Sequence, residues 1–64
     1  MYNIVLITTD GKSALYAEEL TLDKVHKETQ LLQKLITKPL LILNVKGQMI
    51  VNTDIERMFV EVSK

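Results

Sequence analysis

The sequence contains no cysteine, and it has a single histidine. Without cysteine the chain can form neither a disulfide nor a thiolate zinc site. Glycine is also scarce. The sequence has two glycines, one in the pair Asp10-Gly11 and one in the pair Lys46-Gly47. A phosphate-binding loop is instead rich in glycine and leads into a helix N-terminus. We therefore expect no metal site and no cofactor.

An excess of charge and long hydrophobic runs are absent as well. Eight basic and eight acidic side chains give a formal net charge of zero, which does not favour general binding to nucleic-acid phosphates. Apolar runs such as residues 40–43 are far shorter than the roughly 20 residues that span a bilayer. No basic segment followed by an apolar one opens the chain, as it would in a secretory signal. We expect a soluble, cytoplasmic protein with no membrane partner.

Apolar side chains, in contrast, make up 47% of the 64 residues. This length predicts one small domain, residues 1–64. A domain of that size buries only about 60% of the surface that its unfolded chain exposes, so it has little stability to spare. Disulfides, a metal or oligomerisation are the usual supports of small folds. Because disulfides are excluded and a metal is not expected, we expect a homo-oligomer, most simply a symmetric dimer.

The first seventeen residues predict a β-hairpin. Asp10-Gly11 is typical of a two-residue type I′ turn, which sets the pairs Thr9–Lys12, Ile7–Ala14, Leu6–Leu15, Val5–Tyr16 and Ile4–Ala17. Because side chains alternate across a strand, one face would carry Ile4, Leu6, Leu15 and Ala17, and the other Val5, Ile7, Ala14 and Tyr16. Both faces are apolar. A domain this small can cover one of them, so we expect the second to meet a partner.

The remainder of the chain predicts one helix and three more strands. Thr21 is a candidate N-cap, and Pro39 ends a helix expected over residues 22–37. The stripe expected to face the sheet consists of Leu22, Val25, Thr29, Leu32 and Ile36, with Leu31 and Leu35 on its flank.

Pro39 should open a strand that is buried on both faces along residues 40–43. The Lys46-Gly47 turn then pairs Leu43 with Ile50 and Ile42 with Val51, and a last strand covers residues 57–62. The order ββαβββ predicts an α+β domain, in which an antiparallel sheet of four or five strands carries one helix packed on one face.

The candidate catalytic residues form no recognisable set. His26 has Asp23 nearby on the helix, but no third member of a triad accompanies them. The helix dipole explains Asp23, and the end of a strand explains the neighbouring Glu18 and Glu19. We expect a protein that is not an enzyme, with no catalytic residue.

A second acidic segment, with Asp54 and Glu56 beside Asn52, lacks the spacing of a calcium-binding loop. Turn formation explains it better, because Asn and Asp side chains bond to nearby backbone.

The sequence favours a non-enzymatic protein-binding module that self-associates, such as a small adaptor or inhibitor of the kind that phages and mobile elements encode. A host or cellular protein is a further candidate partner. Apolar side chains outside the expected core mark interaction sites, and the candidate interface residues are Val5, Ile7, Tyr16, Leu31, Leu35 and Phe59.

The alternative is a nucleic-acid-binding protein that uses the open sheet face. Such a face presents aromatic and basic side chains together. The chain has only three aromatic residues, Tyr2, Tyr16 and Phe59, which is few for a face of this kind. Acidic residues also interrupt the basic side of the helix, which consists of Lys24, Lys27, Lys34 and Lys38. Nucleic acid is therefore the less favoured partner.

Overall fold

The computed structural model describes residues 1–63, which form one helix and five strands. The elements are β1 (Tyr2–Thr8), β2 (Ser13–Leu20), α1 (Leu22–Ile36), β3 (Ile42–Val45), β4 (Gln48–Val51) and β5 (Ile55–Val62), with a 3₁₀ turn, Asn52–Asp54, before β5. The predicted α+β class and the order ββαβββ are confirmed. A single sheet of four or five strands was wrong, because the strands form a three-stranded antiparallel sheet, β2-β1-β5, and a separate hairpin, β3-β4.

The β3–β4 hairpin is separate because the chain turns sharply at both of its ends. Strand β3 begins at Ile42 rather than at Pro39, since the N–H of Leu41 donates to the side chain of Asn52 instead of to a strand. The 3₁₀ turn after β4 then carries the chain across to β1, with which β5 pairs. The predicted pairs of Leu43 with Ile50 and of Ile42 with Val51 are confirmed.

Burial of this segment on both faces was a wrong prediction. Leu43 and Val45 are buried, whereas Leu40 is 74% exposed and Ile42 is 58% exposed. A two-stranded hairpin has one face against the core and nothing on its other face, so alternate residues stay in solvent. The run of apolar residues at 40–43 therefore spans a loop and the start of a half-buried strand.

The turn of the first hairpin also differs from the prediction. Gly11 N donates to the carbonyl of Thr8 at 3.0 Å, and Thr8 N donates to the carbonyl of Lys12 at 2.9 Å. Gly11 has a φ of 86°, and Asp10 is not among the residues of positive φ. This is a three-residue loop with glycine in the left-handed position. The type I′ geometry occurs instead at Lys46 and Gly47, whose φ values are 51° and 84°.

This turn shifts the register of β1 against β2 by one residue. Val5 pairs with Leu15, Leu6 with Ala14 and Ile7 with Ser13, while the predicted pair of Ile4 with Ala17 is confirmed. A bulge between these pairs absorbs the extra residue. The predicted faces were therefore wrong in part. Ala14 and Tyr16 pack with Ile4 and Leu6 in the core, and Leu15 moves to the opposite face with Val5 and Ile7.

The position and N-cap of the helix agree closely with the prediction from the sequence. Thr21 is the N-cap, accepting a bond from Lys24 N at 3.4 Å, and Thr37 is the C-cap. Val25 and Leu32 are buried as expected, but Leu22 is 54% exposed, because side chains of the first turn lean toward the N-terminus and away from the packed layer.

The core lies between the three-stranded sheet and a second layer made of α1 and the β3–β4 hairpin. Its buried members are Ile4, Leu6, Ala14, Leu32, Leu43, Val45, Ile50 and Ile55. Leu35, expected on the flank of the helix, packs against this cluster as well. The opposite face of the sheet contributes none of these residues.

Candidate interaction surface

The face of the three-stranded sheet that points away from the core has an apolar row across its middle. Val5 on the central strand lies between Leu15 on β2 and Phe59 on β5. Ile7, two residues along β1, lies between Ser13 and Arg57. We call this surface the outer face, and its residues are Asn3, Val5, Ile7, Ser13, Leu15, Arg57, Phe59 and Glu61.

Within residues 1–63, the apolar side chains of the outer face take no part in the core cluster. Phe59 is 41% exposed, whereas Val5 is only 9% exposed. Because Val5 is on the central strand, the flanking Leu15 and Phe59 shield it from both sides. The accessible apolar area of the row therefore comes mainly from Phe59, with the half-buried Leu15 at the other end.

Two opposite charges, Arg57 and Glu61, flank Phe59 along β5 on the outer face. Arg57 is next to Ile7, and Glu61 is next to Asn3, whose Nδ2 donates to the Glu61 carboxylate at 3.4 Å. The ion pairs found among residues 1–63 join Lys12 to Asp10 and Lys46 to Glu18. Neither includes Arg57, so its charge is available to a partner.

Strand β5 also exposes apolar side chains on its other face. Met58 packs against the core, but Val60 is 43% exposed and Val62 is 75% exposed. The helix lies against β1 and β2 and leaves this part of β5 uncovered. Both faces of β5 therefore expose apolar side chains, Phe59 on the outer face and Val60 and Val62 on the other.

The structure brings three of the predicted interface residues together, because Val5, Ile7 and Phe59 all lie on the outer face. Tyr16 and Leu35 instead pack against the core cluster, and Leu31 is exposed on the helix. Prediction from sequence omitted Leu15, whose position follows from the register that the three-residue turn sets.

Tyr16 belongs to the edge of the core rather than to an open surface. Burial raises the pKa of the Tyr16 phenol, and the nearby carboxylate of Glu28 on the helix raises it further. Both effects disfavour a charged phenolate. The side chain therefore acts as a neutral contact between β2 and α1.

The residues named as catalytic candidates, His26 and Asp23, lie three positions apart on α1. His26 and Asp23 are both exposed on the helix, and no hydrogen bond or ion pair found among residues 1–63 joins them. In the same part of the chain, no group of three or more His, Cys, Asp and Glu side chains could hold a metal ion.

The acidic residues before the helix have structural contacts. Glu18 forms an ion pair with Lys46 at 3.4 Å. Glu19 has a φ of 57°, its N–H donates to Asn3 Oδ1 at 3.1 Å, and its carboxylate accepts from the hydroxyl of Ser63 at 2.5 Å. These contacts join the end of β2 to β1, β5 and the second hairpin.

A cleft of about 330 Å³ lies between the β1–β2 loop and β4. Its polar walls include the carboxylates of Asp10 and Asp54. The hydroxyl of Thr8 donates to Asp10, and this bond, followed by one from the Lys12 backbone, lowers the pKa of the Asp10 carboxyl. Asp10 therefore stabilises the turn as a carboxylate.

Comparisons with protein-family models, with curated protein sequences and with solved structures found no match for this chain. No helix within residues 1–63 is long and apolar enough to cross a membrane. The apolar side chains of the outer face, together with Val60 and Val62 of β5, lie outside the core cluster.

Proposed function

We propose that the protein is a non-enzymatic binding module that acts by self-association, as a symmetric dimer, through the outer face and β5. The observation that carries this proposal is the apolar row of Leu15, Val5 and Phe59, on which no element of the core layer packs. An apolar surface of this kind usually marks an interaction site. Phe59 at the edge of the row has the size and exposure of an interface anchor.

The size and composition of the chain support a second copy as the partner. A 64-residue fold without cysteine gains stability from an interface that buries further apolar surface. Its net charge of zero also means that two copies repel each other weakly. The same surface would suit the small adaptor or inhibitor that the sequence favours, with a cellular protein as a further partner.

Nucleic-acid binding is the less favoured alternative. Phe59 and Arg57 are an aromatic and a basic side chain on one sheet face, as in RNA-binding sheets. Glu61 lies on the same strand and face, and the chain has no excess of basic residues to neutralise phosphates. Salt-dependent binding of single-stranded RNA or DNA at micromolar concentration would favour this alternative.

Sedimentation velocity over a range of protein concentrations tests self-association. We expect a dimer for the unmodified protein and a monomer for Phe59→Lys, because the lysine would be buried without a partner in the interface. Leu31→Lys is the matched control, since Leu31 is 50% exposed but lies on the helix, and it should remain dimeric.

Thermal unfolding provides the second measurement. The melting temperature of a dimer rises with protein concentration, whereas that of a monomer does not. A folded monomer at high micromolar concentration, with a constant melting temperature, would refute self-association. Dissociation by Leu31→Lys but not by Phe59→Lys would place the interface on the helix instead.

A further inference from the structure

Strand β5 is an edge strand, and its register shift against β1 lies at its start, between Ile55 and Arg57. Within residues 1–63, it has β1 on one side and no strand on the other. Its eight residues, IERMFVEV, include neither proline nor lysine, two residues that natural edge strands use to prevent association. A further strand can therefore add to this edge.

The backbone groups at the free edge follow from the pairing of β5 with β1. Ser63 N donates to the carbonyl of Met1 at 2.8 Å, next to the pair of Tyr2 with Val62. Hydrogen-bonded and non-hydrogen-bonded pairs alternate along an antiparallel ladder. The N–H and C=O groups of Met58, Val60 and Val62 therefore point toward the free edge.

The side chains of β5 select one register for pairing with a second copy. An antiparallel two-fold arrangement centred on Phe59 sets Arg57 opposite Glu61 of the other copy, and Met58 opposite Val60. Opposite charges and apolar side chains stabilise such cross-strand pairs. A two-fold centred on Val60 would set Phe59 against Glu61, and one centred on Met58 would set Arg57 against Phe59. Neither of these two pairs the charges.

From this complementarity, we propose that two copies pair antiparallel along β5, with the two-fold axis at Phe59. The inference rests on the proposed self-association and specifies its geometry. The three strands of each copy then form one continuous sheet, in which the edge-facing groups of Met58 bond to those of Val60 in the other copy. The apolar rows of both outer faces join at the two Phe59 side chains.

Charge reversal at Arg57 and Glu61 tests the register. Arg57→Glu alone and Glu61→Arg alone each place like charges opposite one another in both symmetric pairs, so each should raise the dimer dissociation constant about tenfold. The double variant restores opposite charges and should dimerise like the unmodified protein. An equimolar mixture of the two single variants should form a heterodimer of the same affinity.

Lys27→Glu is the matched control, because it changes the net charge by the same amount at an exposed helix position. It should leave the dissociation constant unchanged. Equal weakening by Lys27→Glu, or failure of the double variant and of the mixture to recover, would overturn the proposed register.

Pairing at the edge is distinguished from stacking of two outer faces by Val60→Pro. Proline removes an N–H that points to the free edge and makes no bond to β1, a position that sheets tolerate. We expect a folded monomer by circular dichroism and sedimentation. A folded Val60→Pro dimer would overturn edge pairing.

Amide hydrogen exchange of the unmodified protein tests pairing along the edge of β5 without a substitution. The Met58 and Val60 amides should exchange more slowly as the dimer forms with increasing concentration. If Phe59→Lys dissociates a dimer whose Met58 and Val60 amides exchange freely, self-association stands and pairing along β5 fails. If the unmodified protein is a monomer throughout, both proposals fail.

Discussion

Asn52 and Leu41 bond to each other in both directions. Leu41 N donates to Asn52 Oδ1 at 2.9 Å, and Asn52 N donates to the carbonyl of Leu41 at 2.8 Å. Asn52 Nδ2 also donates to the carbonyls of Leu35 and Lys38, at 3.0 and 2.8 Å. One fully buried amide thus ties the end of the helix to the segment before β3 and to the junction of β4 with β5.

We expect Asn52→Leu to lower the free energy of unfolding by about 2–5 kcal/mol, because it keeps the volume and removes the side-chain partner of the Leu41 N–H and of the Leu35 and Lys38 carbonyls. Chemical denaturation measured by circular dichroism gives this value. Asn44→Leu is the control: Asn44 is exposed and accepts one bond from Gly47 N, so the loss should stay near 1 kcal/mol. Equal losses would show that Asn52 does not organise this junction.

Leu31 and Leu32 are adjacent leucines with opposite environments. Leu32 is fully buried, and Leu31 is 50% exposed. We expect Leu32→Ala to cost about 2–5 kcal/mol and Leu31→Ala to stay within about 0.5 kcal/mol. The pair is compared by denaturation at a single protein concentration. A larger loss at Leu31 would mean that the helix is rotated about its axis.

Local sequence patterns were sufficient to predict the helix and the second hairpin. Thr21, the apolar spacing around Leu32 and the turn at Lys46-Gly47 each depend on residues close in the chain. The first hairpin was placed correctly but its register was not. Because both of its faces are apolar, a shift of one residue left no polar side chain in the core to reveal the error.

Two features could not be predicted from the sequence pattern, because they depend on contacts made only in the folded chain. The partners of Asn52 lie 11 to 17 residues away along the chain, so the residue looked like an ordinary turn former. Of the predicted interface residues, Val5, Ile7 and Phe59 share the outer face, and alternation along their strands was enough to group them. Leu15 was assigned to the wrong face because its orientation depends on the turn at Gly11.

Lys46→Asn should stabilise the protein by about 0.5 kcal/mol. Lys46 has a φ of 51°, which is costly for most side chains and well tolerated by asparagine in a type I′ turn. The substitution also removes the exposed Lys46–Glu18 ion pair, which is worth at most about 1 kcal/mol. Glu18→Gln, as the control, removes the ion pair without changing the turn and should be neutral or slightly destabilising. A loss for Lys46→Asn larger than that for Glu18→Gln would contradict the argument from backbone strain.

The raised pKa of Tyr16 predicts a loss of stability at alkaline pH. Burial and then the Glu28 carboxylate keep this phenol protonated in the folded state, whereas in the unfolded chain it ionises near pH 10. The free energy of unfolding should therefore fall as the pH rises from about 10 through the pKa of the folded state. Absorbance titration should show a late tyrosine component that disappears in Tyr16→Phe and persists in the control Tyr2→Phe. Because the Glu28 carboxylate is the second cause of the raised pKa, Glu28→Gln should move that component toward pH 10. A late component that survives in Tyr16→Phe would contradict its assignment to Tyr16.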